Sequence, residues 1–172
     1  LLDMAIHTFD QARFLLRKDP ISVVCKEYNP SWSWYKGDAS AVCIFTFEDG
    51  VVFNYTGSWC SPGFKTSWDS NWRAGGSRGT CSWNGTDSPK AQLTAYDENN
   101  SHPEDFDTNV SKMECRLKGH EGCINEMIES IKSGRRAQTD CRDNIISLAM
   151  VFAAIKSSAQ NREVTIKEIL EG

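Results

Sequence analysis

Two apolar runs, 39–47 and 51–59, flank the tripeptide Glu48-Asp49-Gly50. Asp-Gly between apolar runs is a strong hairpin signal, because both residues tolerate the positive φ that a tight reversal demands. The second run alternates. Val51, Phe53, Tyr55 and Trp59 fall on one side, with Asn54, Thr56 and Ser58 on the other. A half-buried antiparallel pair is therefore predicted, and it must lay its apolar face on something.

The flanking sequence supplies that partner. Residues 2–17 carry Leu2, Ala5, Ile6, Phe9, Ala12 and Leu16 along one arc at helical spacing, and the pattern stops before Asp19-Pro20. A β-branched run at 21–28 follows, and further strands are predicted at 67–74, 79–83, 90–96 and 112–117. The acidic, Asn-rich segment 97–109 reads as a mobile loop. Two helices close the chain. The first, 120–133, places Cys123, Ile124, Met127, Ile128 and Ile131 on one face and stops at Gly134. The second, 142–160, is apolar around most of its circumference, which predicts deep burial, with Asp140 as its cap. Residues 163–166 form a short final strand. Helix, many strands, then two helices predicts an α+β fold: a mostly antiparallel open sheet with helices on one face, in a single domain spanning 1–172.

Composition excludes several classes. The net charge of −4 and the lack of basic clusters beyond Arg135-Arg136 argue against nucleic acid and anionic membrane surfaces as partners. The most apolar stretch, 145–155, is far short of the roughly 20 residues of a membrane span. Seven irregularly spaced cysteines include no C-x-x-C pair, so no zinc ribbon or other metal site is expected. Several lie in apolar runs, as Cys43 does, which suits buried free thiols and a cytoplasmic location. Tripeptides at Asn54, Asn84, Asn99 and Asn109 match the glycosylation pattern, but no signal peptide supports secretion.

Three groups of residues carry possible chemistry. On an ideal helix Asp3, His7 and Asp10 share one stripe. A carboxylate one turn from a histidine can fix its tautomer for general-base work, though a solvated polar face with chance neighbours has the same spacing. All six tryptophans (Trp32, Trp34, Trp59, Trp68, Trp72, Trp83) lie in the β-rich middle. Indole faces stack on sugar rings, and they also fill sheet faces and oligomer interfaces. The segment Gly75-Gly76-Ser77-Arg78-Gly79 lies between predicted strands and reads as a turn, not a phosphate cradle. There is no G-x-G-x-x-G fingerprint, no G-x-S-x-G elbow and no H-E-x-x-H site, and His102 and His120 lack partners at useful spacing.

In order and spacing these segments resemble the C-terminal domain of the glucose–fructose oxidoreductase/inositol dehydrogenase (Gfo/Idh/MocA) family. Asp3-x-x-x-His7-x-x-Asp10 is similar to the family's D-x-x-x-H-x-x-D signature. Phe47-Glu48-Asp49-Gly50, Gly57-Ser58-Trp59 and 66–73 with Gly79-Thr80 resemble its hairpin and following strand. Residues 121–164, with 131–135, Asp140 and 154–159, resemble its closing helix pair and last strand. The resemblance implies the open sheet of dihydrodipicolinate-reductase-like and glyceraldehyde-phosphate-dehydrogenase-like C-terminal domains. It implies NAD or NADP in the intact enzyme, bound by an N-terminal Rossmann domain outside this chain, and no cofactor in the chain itself. It implies oxidation of a sugar, inositol or related polyol, with His7 taking the hydroxyl proton and Asp3 orienting it. Trp59, Trp68 and Asp10 become candidate substrate contacts, with Asp10 more structural than catalytic. It further implies a homo-oligomer built through the open sheet face, and an inactive isolated chain. The competing expectation is a non-catalytic carbohydrate-binding or oligomerisation scaffold in which His7 is incidental.

Overall fold

The computed structural model describes residues 1–95, 105–108, 110 and 117–172. These form two compact units, Leu1–Pro62 with Asn125–Gly172, and Gly63–Ile124.

The first unit contains α1 (Ala5–Leu16), β1 (Pro20–Tyr28), β2 (Ser40–Phe47), β3 (Val52–Ser58), most of α2 (Gly119–Ser133), α3 (Cys141–Gln160), β8 (Val164–Thr165) and α4 (Ile166–Leu170). Its sheet has the order β3-β2-β1-β8, with every pairing antiparallel. The predicted hairpin is present. Asp49 and Gly50 take φ of 55° and 72° in a single 3-10 turn, and the Phe47 N–H donates to the Val51 carbonyl across its base. One face of this sheet, carrying Val23, Cys25, Cys43, Phe45 and Phe47, packs under α1 and α3, and those residues are buried with Phe9, Met150, Val151 and Ala154. The opposite face presents Val24, Ile44 and Val42, all exposed. Cys25 and Cys43 are register partners with their sulfurs 3.4 Å apart, and donation to Cys25, together with burial, pushes the Cys43 thiol up from its ordinary range. The six described cysteines are all free; Cys25, Cys43 and Cys60 are the buried ones.

Strand β8 is only two residues long and pairs with Ser22 and Val23 alone. Beyond it the outer edge of β1 meets no strand among the described residues, and α3 supplies the missing acceptors. Ser157 Oγ accepts from the Cys25 N–H at 2.9 Å and donates to the Arg162 carbonyl at 2.6 Å, while Ser158 Oγ accepts from the Glu27 N–H at 2.8 Å. Ser157 is fully buried, so Ser157→Ala strands a buried donor where no water reaches. A loss of about 1–3 kcal/mol is expected, measured as a lower urea midpoint at unchanged slope.

Helix α3 begins at its predicted cap: Asp140 accepts from the Arg142 N–H at 2.8 Å, and its carboxyl is held down at about 2 by the Arg142 side chain. The expected deep burial holds for one face, with Met150, Val151, Ala153 and Ala154 in the core, and is corrected for the other. Ile145, Leu148 and Phe152 recur at helical spacing on a face that stays exposed. On helix α2 the apolar face is uncovered: Ile124, Met127, Ile128 and Ile131 are all exposed, and it is Ser130 that is buried, bonded back to the Glu126 carbonyl. No helix among the described residues is long and apolar enough to cross a membrane.

The second unit is a separate antiparallel sheet of order β4-β5-β6-β7, comprising β4 (Trp72–Gly76), β5 (Gly79–Trp83), β6 (Lys90–Thr94) and β7 (Asp105–Thr108). The predicted strand at 67–74 starts only at Trp72, because Ser70 at φ 67° interrupts the extended run. The glycine-rich segment is the β4–β5 turn. Gly79, at φ 144°, lies so close to the β6 backbone that a Cβ would meet the Gln92 carbonyl oxygen at 2.0 Å. The loop predicted for 97–109 is corrected at its end. Asp105–Thr108 pairs with β6, and Gln92 Nε2 donates to Asp107 Oδ1 across the pair. The remainder of that segment, with His102, Cys115 and most of the run at 112–117, lies outside the described residues.

Candidate functional site

The proposed catalytic edge is the start of α1. The helix begins at Ala5 rather than at residue 2, with Met4 at the cap position (φ −126°, ψ −17°) and no side-chain cap bond. Asp3 therefore stands on the turn preceding the helix, whereas His7 and Asp10 are truly helical. This corrects the expectation of one helical stripe through all three. The His7 N–H donates to the Met4 carbonyl at 3.2 Å, so the turn runs directly into the first helical residues. Both Asp3 and His7 are exposed.

The rest of α1 is held on two sides. Ala5, Phe9 and Ala12 are buried against the sheet, with the Phe9 ring edge-on to Phe45 at 4.7 Å and to Tyr55 at 5.1 Å between centroids. The Tyr55 hydroxyl is pushed up to about 12, mainly by burial. On the flank facing α3, Arg13 is 8% exposed although it is an arginine. Its Nη1 donates to Ser147 Oγ at 2.9 Å, and its Nη2 to Asp143 Oδ1 at 3.1 Å and Asp19 Oδ1 at 3.3 Å. Ser147, fully buried in α3, donates in turn to Asp10 Oδ1 at 2.6 Å. Asp10 is thus tied into a staple between α1 and α3, a positioning role. The staple ties the rotation of α1 to α3.

Sequence reasoning missed Arg13 and Ser147. The only local signals were an arginine three residues after Asp10 and a serine inside the apolar run of α3; the contact itself spans 134 residues. A cavity of about 370 Å³ opens beside this staple, between the end of α1, the β2–β3 turn and the start of α3, lined by Arg13, Phe14, Lys18, Glu48 and Asp143 among others. Arg13 Nε, buried there, has no partner among the described residues.

The aromatic candidates separate. Trp59 follows β3, is half exposed, and donates its backbone N–H to the Ala39 carbonyl at 2.9 Å. That is the end of the sheet where the Leu1 nitrogen lies 3.4 Å from Glu27 Oε1, so Trp59 and the start of α1 share an end of the first unit. Trp68 belongs to the second unit, on the exposed loop before β4. The cluster at 31–35 is an exposed loop in which Trp34 stacks on Tyr35 and Trp32 Nε1 donates to the Cys60 carbonyl.

Among the described residues no group of three His, Cys, Asp or Glu side chains is placed to hold a metal ion. The Rossmann type of dinucleotide site lies at the glycine-rich turn from a strand of a parallel sheet into a helix. Both sheets here are wholly antiparallel, so the described residues do not form a site of that type.

Residues 1–82 match the family model for the GFO/IDH/MocA C-terminal domain. An uncharacterized protein of Sinorhizobium fredii, y4oX, is 24% identical over 172 residues, which is 99% of this chain and 48% of that protein. An oxidoreductase from Agrobacterium radiobacter, solved in complex with NAD+, L-tartaric acid and magnesium, matches with a TM-score of 0.72 at 21% identity, over 96% of this chain and 48% of its own. The aldose-aldose oxidoreductase from Caulobacter crescentus, complexed with glycerol, matches with a TM-score of 0.70 at 15% identity, over 96% and 47% of the two chains. The chain thus spans about half the length of the curated relative and of these structures, and at such identities the structural likeness shows the fold.

Proposed function

We propose, from a chain whose residues 1–82 match the model for the GFO/IDH/MocA C-terminal domain, that it is the substrate-binding half of an NAD(P)-dependent oxidoreductase acting on a sugar, inositol or related polyol. The observation that carries this reading is the contrast along α1. Phe9 and the Arg13–Ser147–Asp10 staple immobilise the helix, while His7 and Asp3 are left exposed at its start. A rigid support with an exposed imidazole is what a positioned general base requires.

In this reading oxidation of the substrate carbinol removes a proton from oxygen and a hydride from carbon. The share of this chain is the proton, which passes from the substrate hydroxyl to an imidazole nitrogen of His7 as the carbonyl forms. Asp3 orients the imidazole or holds a neighbouring hydroxyl, and Trp59 offers an apolar wall at the same end of the unit. The hydride acceptor, NAD or NADP, is held outside this chain. The reading is tested by assaying this chain and the full-length gene product side by side with polyols and NAD(P)+. Reduction of the nucleotide by the full-length protein alone is expected; turnover by this chain alone would overturn the reading.

A second copy is the proposed occupant of the open sheet face. Val24 and Ile44 are register partners at its centre, with Val42 and Val52 beside them, and all four are exposed. Ile44→Lys places a charge in the middle of that face and is expected to convert an oligomer to monomers in sedimentation. An unchanged sedimentation profile for the variant excludes this face.

A further inference from the structure

The second unit contains a cavity that the proton-transfer reading does not use. Where β4 begins and β5 ends, Trp72 and Trp83 are register partners, so both indoles stand on the same face of the sheet. A cavity of about 310 Å³ opens there, lined by Asn71, Trp72, Trp83, Asn84, Asp87 and Lys90 with two serines. That lies within the range of about 300–1,000 Å³ common for small-molecule sites.

The rim is built by local bonding. Trp83 Nε1 donates to the Asp87 carbonyl at 2.8 Å and Trp72 Nε1 to the Asp69 carbonyl at 2.7 Å, which fixes both ring planes. Asn84 Oδ1 accepts from the backbone N–H groups of Thr86 and Asp87, and its Nδ2 donates to Asp87 Oδ2 at 2.7 Å, so the carboxylate is held in place. Ser67 Oγ donates to the Asn84 carbonyl at 2.9 Å, and Gly85 (φ 84°) packs so tightly on Ser67 that a Cβ would meet its Oγ at 1.9 Å. The turn after β5 is thereby clamped to the loop before β4. A site pre-formed in this way gives up little conformational freedom when a ligand enters.

The chemistry of the lining selects the ligand. A flat indole with an electron-rich face suits the C–H groups on one side of a sugar ring. Around it stand the Asn71 amide, the Asp87 carboxylate and the Lys90 ammonium, donors and acceptors suited to hydroxyl groups. One carboxylate and one ammonium leave the cavity without net charge, so neither an anion nor a cation is favoured. We propose that this cavity binds the ring of a neutral saccharide, with Trp83 stacking on its C–H face and Asn71, Asp87 and Lys90 bonding its hydroxyls.

The test is binding by this chain without any nucleotide, so its failure leaves the oxidoreductase reading standing. Indole fluorescence and saturation-transfer NMR follow titrations with D-glucose, cellobiose and myo-inositol, and with adenosine monophosphate as a charged aromatic control. Saturable binding of a sugar is expected, weakened at least about tenfold in Trp83→Ala and several-fold in Asp87→Asn. Circular dichroism checks the fold of Trp83→Ala; if that variant is unfolded, Asp87→Asn and Lys90→Ala decide. No saturation by any of the three sugars, or equal affinity in the folded Trp83 and Asp87 variants, overturns the proposal. Tighter binding of adenosine monophosphate than of the sugars does the same.

Discussion

Phe9→Ala is expected to cost about 3–5 kcal/mol of stability, the range for emptying a buried aromatic site. Phe9 is fully buried, and three aromatic rings surround it: Phe45 at 4.7 Å, Tyr55 at 5.1 Å and Phe53 at 6.4 Å, all edge-on. Such pairs add about 0.5–1.5 kcal/mol each beyond the area they bury. The cavity has little means of collapse, because Phe45 and Phe53 are register partners on the hydrogen-bonded strands β2 and β3 and stack on each other at 5.9 Å. Against the 5–15 kcal/mol of a typical domain, roughly, this is a large fraction. Urea unfolding of this chain measures it, and Phe9→Leu, which keeps most of the volume, should lose less than half as much. A loss below about 1 kcal/mol for Phe9→Ala contradicts the central place given to this ring.

The second large effect is on turnover and leaves stability nearly untouched. His7 is exposed, so His7→Ala should change folding stability by no more than about 0.5 kcal/mol, the range for surface substitutions. In the full-length protein the same change is expected to lower kcat by about 10²–10⁴-fold, the contribution of a positioned general base. KM should move much less, since the lost interaction belongs to the transition state. Asp3→Asn keeps the side chain's shape and removes its charge, and should give a smaller fall in kcat. Arg13 acts differently. It touches no proposed reacting group, so its replacement should disturb activity only to the extent that α1 shifts.

Much of the first unit was legible because its signals are local. Asp49-Gly50 marked the hairpin through the positive φ both residues adopt, and Asp140 marked the start of α3 through its bond to the Arg142 N–H. The failures share a cause too. Asp105–Thr108 alternates acidic residues with Phe106 and Thr108, and it becomes a strand only because the β6 edge pairs with it. The apolar spacing of α2 and of Ile145, Leu148 and Phe152 on α3 is real, yet periodicity says which residues share a face and not whether that face is covered. Asp3 fitted the helical stripe by counting, but the helix starts only at Ala5, with Met4 at its cap position. The Arg13–Ser147–Asp10 staple joins residues 134 and 137 positions apart, and no local pattern announces it.

The central claim is that His7 takes the proton from a substrate hydroxyl. Its most direct test is chemical rescue of full-length His7→Ala by free imidazole, followed through nucleotide reduction with a polyol substrate. The account predicts a variant with kcat at least about a hundredfold below the unaltered enzyme, whose rate rises with added imidazole and saturates. A variant that turns over at near-normal rate without imidazole would contradict it.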